Sequence, residues 1–146
     1  MNYELFMGEA LEEAKLAMSR GQRPVAAVAV VDEAMVVRAH DRVAETNDPT
    51  AHAVVVALRE TARKLGSIRL ADATIFSTQE PCPMCVGALL ASDIDALVYA
   101  AANDRYGAAG TVVQLAQHPD LPRRIKIVSG IRREEAERLF APVLAR

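Results

Sequence analysis

One histidine and two cysteines, each at the predicted start of a helix, constrain the fold of this chain more than any other feature. His52 follows Asp48-Pro49-Thr50, and Cys82 and Cys85 lie in Pro81-Cys82-Pro83-Met84-Cys85, with Cys82 30 residues after the histidine. Zinc prefers nitrogen and sulfur ligands in a tetrahedron, and helix N-termini favour thiolates. The spacing therefore predicts two helix starts that meet around one zinc ion, with water in the fourth position.

Two other interpretations of these residues exist. A lone C-x-x-C also occurs as a redox dithiol, and cysteines pack in apolar cores. A lone histidine is usually a hydrogen-bonded side chain. The redox site needs a different strand and helix context and no histidine partner, so the complete spacing favours zinc.

The hydrophobic pattern predicts alternating helices and strands. Glycines end the first two helices, at Gly21 and Gly66, and a further helix is expected before the last strand. The predicted helices are 3–20, 51–65, 83–92 and 131–144, and the predicted strands are 25–31, 35–39, 73–77, 96–101 and 125–128. This order predicts an α/β three-layer sandwich with a five-stranded, mostly buried sheet, in a single domain over residues 1–146.

Composition excludes several classes of protein. The 146 residues carry a formal net charge of −2, whereas a general nucleic-acid binder is basic, although basic residues between 123 and 133 leave a local patch open. No apolar run reaches the roughly 18 residues of a membrane span, and the N-terminus lacks the features of a signal peptide. With only two cysteines, we expect a cytoplasmic protein with reduced thiols and no membrane partner.

Five segments carry a resemblance to a known family. They are Asp48 to Ala53, Glu80 to Ala88, Arg105 to Thr111, His118-Pro119 and Gly130-Ile131. Together they resemble the cytidine-deaminase-like superfamily, most closely bacterial tRNA adenosine deaminases and next guanine deaminases. The resemblance implies a mixed sheet flanked by helices, one zinc ion per subunit, a nucleobase or nucleoside substrate, either free or in tRNA, and a homodimer. The apolar segment 84–91 and the Ala108-Ala109 pair also favour a second copy.

Val54 is the main departure from this family. In such deaminases zinc activates a water that attacks the base, and a glutamate two residues after the histidine transfers the protons. Here that glutamate is replaced by Val54, which can neither donate nor accept a proton. The resemblance therefore implies that zinc binding survives, while turnover falls by at least the ~10²–10⁴-fold that proton transfer contributes. Val54 is either a natural divergence or a deliberate removal of the glutamate.

Other expected substrate contacts also differ from the family. Ala26 stands in place of a glycine, Asp41 in place of an asparagine that contacts the nucleoside, and Asn103 in place of an aspartate near the ribose; Ala53 is the remaining expected contact. The change at Asp41 replaces an amide with a group that only accepts hydrogen bonds when ionised. Glu80 is not expected to replace the missing base, because the family carries an acid there beside its catalytic one.

Three functions agree with these observations. The first is a zinc-dependent hydrolytic deaminase whose activity is reduced by Val54. The second is an inactive, zinc-containing pseudo-deaminase that binds a base or nucleic acid, or serves as a non-catalytic subunit. In the third, zinc only stabilises the fold.

Overall fold

The structure is a computed structural model that describes residues 1–144. Over that range the chain alternates short strands with helices. The elements are α1 Tyr3–Ser19, β1 Ala26–Val31, β2 Ala34–His40, α2 Val43–Thr46, α3 Ala53–Leu65, β3 Ala73–Gln79, α4 Pro83–Ala91, β4 Ala96–Ala101, β5 Lys126–Ser129 and α5 Arg133–Leu144.

The five strands form one mixed sheet in the order β2-β1-β3-β4-β5. Strand β1 runs antiparallel to both β2 and β3, and β3, β4 and β5 run parallel to one another. The parallel pairs need crossover connections, which α4 and the long segment after β4 provide. The predicted mixed, five-stranded sheet is confirmed.

Helices cover both faces of this sheet. Along β1, Ala27 and Ala29 belong to one hydrophobic cluster, whereas Val28 and Val30 belong to another. This alternation follows from the two-residue repeat of a strand. Helices α3 and α4 pack on the first face, and α1 and α5 pack on the second. The predicted three-layer arrangement is therefore confirmed.

The segment between β4 and β5 differs from the prediction. The helix expected there is absent: residues 102–125 form turns, with one isolated bridge between Ala109 and Gln114. Hydrogen bonds to distant residues hold this segment, including one from the Ala108 amide to the Pro81 carbonyl oxygen. Ala108 and Ala109 are buried within the chain itself, so the argument that they favour a second copy was wrong.

The segment before α3 also differs in detail. A short helix, α2, precedes it, and the carboxylate of Asp48 accepts hydrogen bonds from the amide and the hydroxyl of Thr50, at 2.8 and 2.7 Å. Helix α3 begins at Ala53 rather than at the predicted residue 51, and His52 is its N-cap residue. In residues 1–144 no helix has the length and apolar character needed to cross a membrane.

Candidate active site

The sheet topology brings the histidine and cysteine motifs to one edge of the molecule. Because β3 and β4 are parallel, their carboxyl ends lie side by side, and the Glu80 amide donates to the Ala101 carbonyl oxygen at 2.8 Å. Helix α4 starts directly after β3, with Cys82 as its N-cap. The start of α3 packs beside it. Ligand sites in open α/β sheets lie at such an edge.

The three predicted ligands have the spacing of a zinc tetrahedron. The Nδ1 atom of His52 lies 3.5 Å from the Cys82 Sγ and 3.6 Å from the Cys85 Sγ. Zinc bonds of about 2.0–2.1 Å to nitrogen and about 2.3 Å to sulfur, at tetrahedral angles, give a nitrogen–sulfur separation of about 3.6 Å. All three ligand atoms lie within 4.8 Å of one another, and no carboxylate of residues 1–144 joins them. The site fits zinc with a fourth position left for water.

The two thiols are electrostatically unequal. A hydrogen bond with the Cys85 thiol lowers the pKa of Cys82 to about 5, and the charge of His52 adds to this effect. The pKa of Cys85 is raised, first by the hydrogen bond with Cys82 and then by burial. The pair therefore accommodates one thiolate readily, and a bound dication supplies the positive charge that ionises both.

A cavity of about 880 Å³ opens beside the three ligands. Among the predicted site residues, Asp41, Ala53, Val54 and Asn103 line it. Val54 is only 3% exposed and belongs to the core cluster beneath α3. Its side chain therefore forms an apolar part of the cavity wall, next to the three zinc ligands.

The other predicted contacts occupy different environments. Ala26 is fully buried, is absent from the lining of the cavity, and donates its amide hydrogen to the Thr78 hydroxyl at 3.0 Å. Asp41 is buried, and its Oδ1 accepts from the Val43 amide at 3.1 Å. The side-chain oxygen of Asn103 accepts from the amides of Arg105 and Tyr106, at 3.2 and 3.0 Å.

Sequence reasoning missed the role of Glu80. This side chain is only 1% exposed and accepts hydrogen bonds from the amides of Asn103, Ala109 and Thr111, at 3.2, 2.9 and 3.2 Å, and from the Thr111 hydroxyl. It thus fixes residues 103–111, hereafter the rim loop, to the start of α4. Its position directly before Pro81-Cys82 was the available signal. Arg23, Arg105 and Tyr106, which also line the cavity, were missed as well.

Comparison with known proteins decides the family. The profile of the cytidine and deoxycytidylate deaminase zinc-binding region matches residues 1–101. The chain belongs to this family. It is 37% identical over 132 residues to a tRNA-specific adenosine deaminase of Bacillus subtilis, covering 90% of this chain and 82% of that one.

Two solved structures of this family share the fold. One, from studies of A-to-I editing by tRNA:A34 deaminases at the wobble position of transfer RNA, has a TM-score of 0.88 and 34% identity, covering 92% of this chain and 97% of that one. The other, a guanine deaminase from Nitrosomonas europaea, has a TM-score of 0.81 and 25% identity, covering 98% and 85%. The family is a zinc-type deaminase family, so zinc is the cofactor that His52, Cys82 and Cys85 can coordinate.

Proposed function

We propose that this deaminase domain binds zinc and an adenine base presented by tRNA, and that it deaminates the base slowly because Val54 occupies the position of the proton-transferring glutamate. The observation that carries the proposal is the combination of a complete ligand cluster with an apolar side chain beside it. When bound, zinc supplies Lewis acidity and lowers the pKa of a coordinated water. The protein must supply the group that moves protons to the ring and to the leaving amine.

The remaining carboxylates of the cavity are poorly suited to that task. Glu80 is saturated by four donors, and Glu137 is held by Arg133. Asp41 shares its Oδ1 with the Val43 amide, and Asp104 is exposed. A general base must lie within hydrogen-bond reach of the proton it takes, and none of these four joins the ligand cluster.

The choice of tRNA rests on two kinds of support. The relative from Bacillus subtilis and the wobble-position deaminase structure both concern tRNA, and the chain covers most of each. The cavity, of about 880 Å³, is also larger than a single base requires. We expect a cytoplasmic location for such an activity.

The test is a deamination assay of the zinc-loaded chain, Val54→Glu and Val54→Gln, on adenosine in tRNA, free guanine, cytosine and cytidine. We expect Val54→Glu to raise the rate on tRNA by at least roughly 100-fold, the lower scale of one positioned proton transfer. Glutamine has nearly the size of glutamate but carries no transferable acid proton, so the Val54→Gln variant should remain slow. Enzyme-like turnover by the unaltered chain, roughly 1–10³ s⁻¹, would contradict the assignment of Val54.

A second candidate function is a pseudo-deaminase that only binds. The observation in its favour is Asp41, a carboxylate in the cavity wall where the family carries an amide. If Val54→Glu remains inactive on every base while the chain still binds one of them, this candidate replaces the first.

We also propose a homodimer that packs through α4. Met84 and Gly87 lie exposed on this helix, and Val112 and Val113 are half exposed in the segment after β4. A Cβ added at Gly87 would meet no atom within 4 Å in its own chain. Gly87→Arg should therefore leave the fold intact and turn the dimer into a monomer in light scattering at micromolar concentration. A monomer for the unaltered chain would rule out the assembly.

A further inference from the structure

A buried histidine outside the zinc site joins three elements of the fold. His40, the last residue of β2, is 7% exposed, and its Nδ1 atom lies 2.6 Å from Oε2 of Glu13, a buried residue of α1. The Nε2 atom of the same ring lies 3.6 Å from Oε1 of Glu45 on α2. The ring therefore faces a carboxylate at each of its two nitrogens, and each carboxylate comes from a different helix.

The two ring nitrogens of His40 differ in what they can bind. An ionised carboxylate only accepts hydrogen bonds, so Nδ1 carries a proton and donates it to Glu13. In the neutral ring Nε2 then keeps a lone pair, and this atom is buried without a hydrogen-bond partner among residues 1–144. A second proton turns Nε2 into a donor that faces the Glu45 carboxylate. Histidine is the side chain that ordinarily changes charge between about pH 5 and 8.

Charged groups from all three elements surround this ring. They are three carboxylates and two guanidinium groups: Glu9, Glu13, Glu45, Arg38 and Arg42. Arg38 pairs with Glu9 and lies 3.9 Å from the Glu13 carboxylate. Arg42 donates to the Glu45 oxygen that faces His40, at 3.1 Å. With a neutral ring the cluster carries one net negative charge, and a second proton on His40 neutralises it.

The residue after His40 belongs to the wall of the zinc-site cavity. Asp41 lines the cavity, and its Oδ1 accepts from the amide of Val43, the first residue of α2, at 3.1 Å. The Asp41 amide donates to the carbonyl oxygen of Val25, which also lines the cavity, at 2.9 Å. Because α2 is bound to the Asp41 carboxylate, a displacement of this helix displaces that part of the wall.

Polar contacts hold α2 in place. The helix has four residues, and none of them is buried. The Asp48 amide donates to the Val43 carbonyl oxygen at 3.2 Å, and the Arg42 amide donates to the carbonyl oxygen of Ala51, next to His52, at 3.0 Å. The contact of Glu45 with His40 joins α2 to a buried part of the fold, so it bears on the position of the whole segment.

We propose that His40 is a positioning residue for the cavity and that it ties α2 to α1 when its ring carries two protons. The doubly protonated ring donates to both Glu13 and Glu45 and holds the Asp41 side of the wall. The singly protonated ring keeps Glu13 and leaves Glu45 to Arg42. The contact stands on the geometry of the cluster, whereas its effect on substrate rests on the proposed function.

The first test is a double-mutant cycle in thermal unfolding of the zinc-loaded chain, with His40→Gln, Glu45→Gln and the double variant. At about pH 6 the ring gains its second proton, so the two losses in Tm should be non-additive, and at about pH 8 they should be additive. Glu60→Gln removes the same charge from α3 and is the matched control. Its effect should add to that of His40→Gln at both pH values.

The second test uses Glu45→Gln without any change at His40, whose buried position makes His40→Gln the variant most prone to misfolding. Fluorescence anisotropy with a labelled tRNA compares zinc-loaded Glu45→Gln with zinc-loaded Glu60→Gln, so that both variants carry the same net charge. At about pH 6 we expect Glu45→Gln to bind roughly 2- to 30-fold more weakly, the range of coupling between separated positions. At about pH 8 the two affinities should be nearly equal.

Two results would overturn this inference alone. One is a coupling between His40 and Glu45 that is absent at both pH values or equal at both. The other is a ratio of the two tRNA affinities that does not change with pH. A zinc-loaded chain that binds no tRNA at either pH would instead overturn the proposed function, and a coupling confined to the lower pH would still support the contact between His40 and Glu45.

Discussion

Glu80 provides a direct test of whether the buried acid beside the zinc ligands is structural or chemical. Its carboxylate, 1% exposed, accepts three backbone amides and one hydroxyl of the rim loop. Glu80→Ala removes all four acceptor contacts and leaves a void. Glu80→Gln keeps the shape and one oxygen, but directs an NH₂ group toward donors.

The stability lost in Glu80→Ala follows from how deeply the hydrogen-bond donors that lose their acceptor are buried. The Ala109 amide is buried, so leaving it unsatisfied costs about 1–3 kcal/mol. The amides of Asn103 and Thr111 are partly buried and regain some water, so about 1 kcal/mol each is appropriate. Glu80→Ala should therefore destabilise the fold by about 3–5 kcal/mol and Glu80→Gln by roughly half as much. At about 2–4 °C per kcal/mol, the Tm of Glu80→Ala falls by roughly 6–20 °C.

The assay is urea or thermal unfolding of the zinc-loaded variants, with residual deamination measured on the same samples. We expect the stability loss in the order Glu80→Ala, then Glu80→Gln, then Thr111→Val, which removes only the hydroxyl donor. The opposite pattern would refute the reasoning: a Glu80→Gln variant with an unchanged Tm and abolished turnover would mean that Glu80 carries the catalytic proton.

Three further predictions concern the same region. Gly107→Ala should destabilise the chain by about 1–3 kcal/mol in urea unfolding, because its Cβ would lie 2.5 Å from the Asn103 carbonyl oxygen and 2.6 Å from the Glu80 carboxylate; unchanged stability would argue against the described loop. Metal analysis should find one zinc per chain and almost none in Cys85→Ser, and chelation should lower the Tm of the unaltered chain only. Burial and the nearby Glu80 charge raise the pKa of Tyr99. An alkaline absorbance titration should therefore show a late phenolate transition that is missing in Tyr99→Phe. The stability that the neutral Tyr99 phenol contributes is present below pH about 10 and is lost as the pH rises through the pKa of Tyr99 in the folded state.

The parts of this fold that local pattern specifies were predictable from the sequence. Apolar runs gave all five strands, and the glycines after α1 and α3 marked the ends of those helices. The zinc ligands were predictable because proline and polar residues placed His52 and Cys82 at helix starts, which the structure brings together.

The rim loop was not predictable for the opposite reason. Its conformation depends on bonds to Glu80 and Pro81, more than 20 residues earlier in the chain, so residues 102–125 carry no periodic signal and a helix was wrongly expected there. The placement of Ala26 shows a different limit. Ala26 is buried on β1 and is not among the residues that line the cavity. Alternation along a strand shows which residues share a face, but not which residues border the ligand.

The architecture of the cavity separates what this chain retains from what Val54 removes. A zinc ion that only stabilised the fold would need His52, Cys82 and Cys85, but not a cavity of about 880 Å³ beside them. The Val54 side chain packs into the apolar cluster beneath α3, while His52, Cys82 and Cys85 have the spacing of a zinc site and Glu80 holds the rim loop. We therefore expect ligand binding to depend mainly on the zinc ligands and the rest of the cavity wall, whereas proton transfer depends on position 54. For this reason we expect the affinity for tRNA to be nearly equal in the unaltered chain and in Val54→Gln, and the difference made by Val54→Glu to be found in turnover. A large change in affinity without a change in turnover would show that Val54 acts through binding instead.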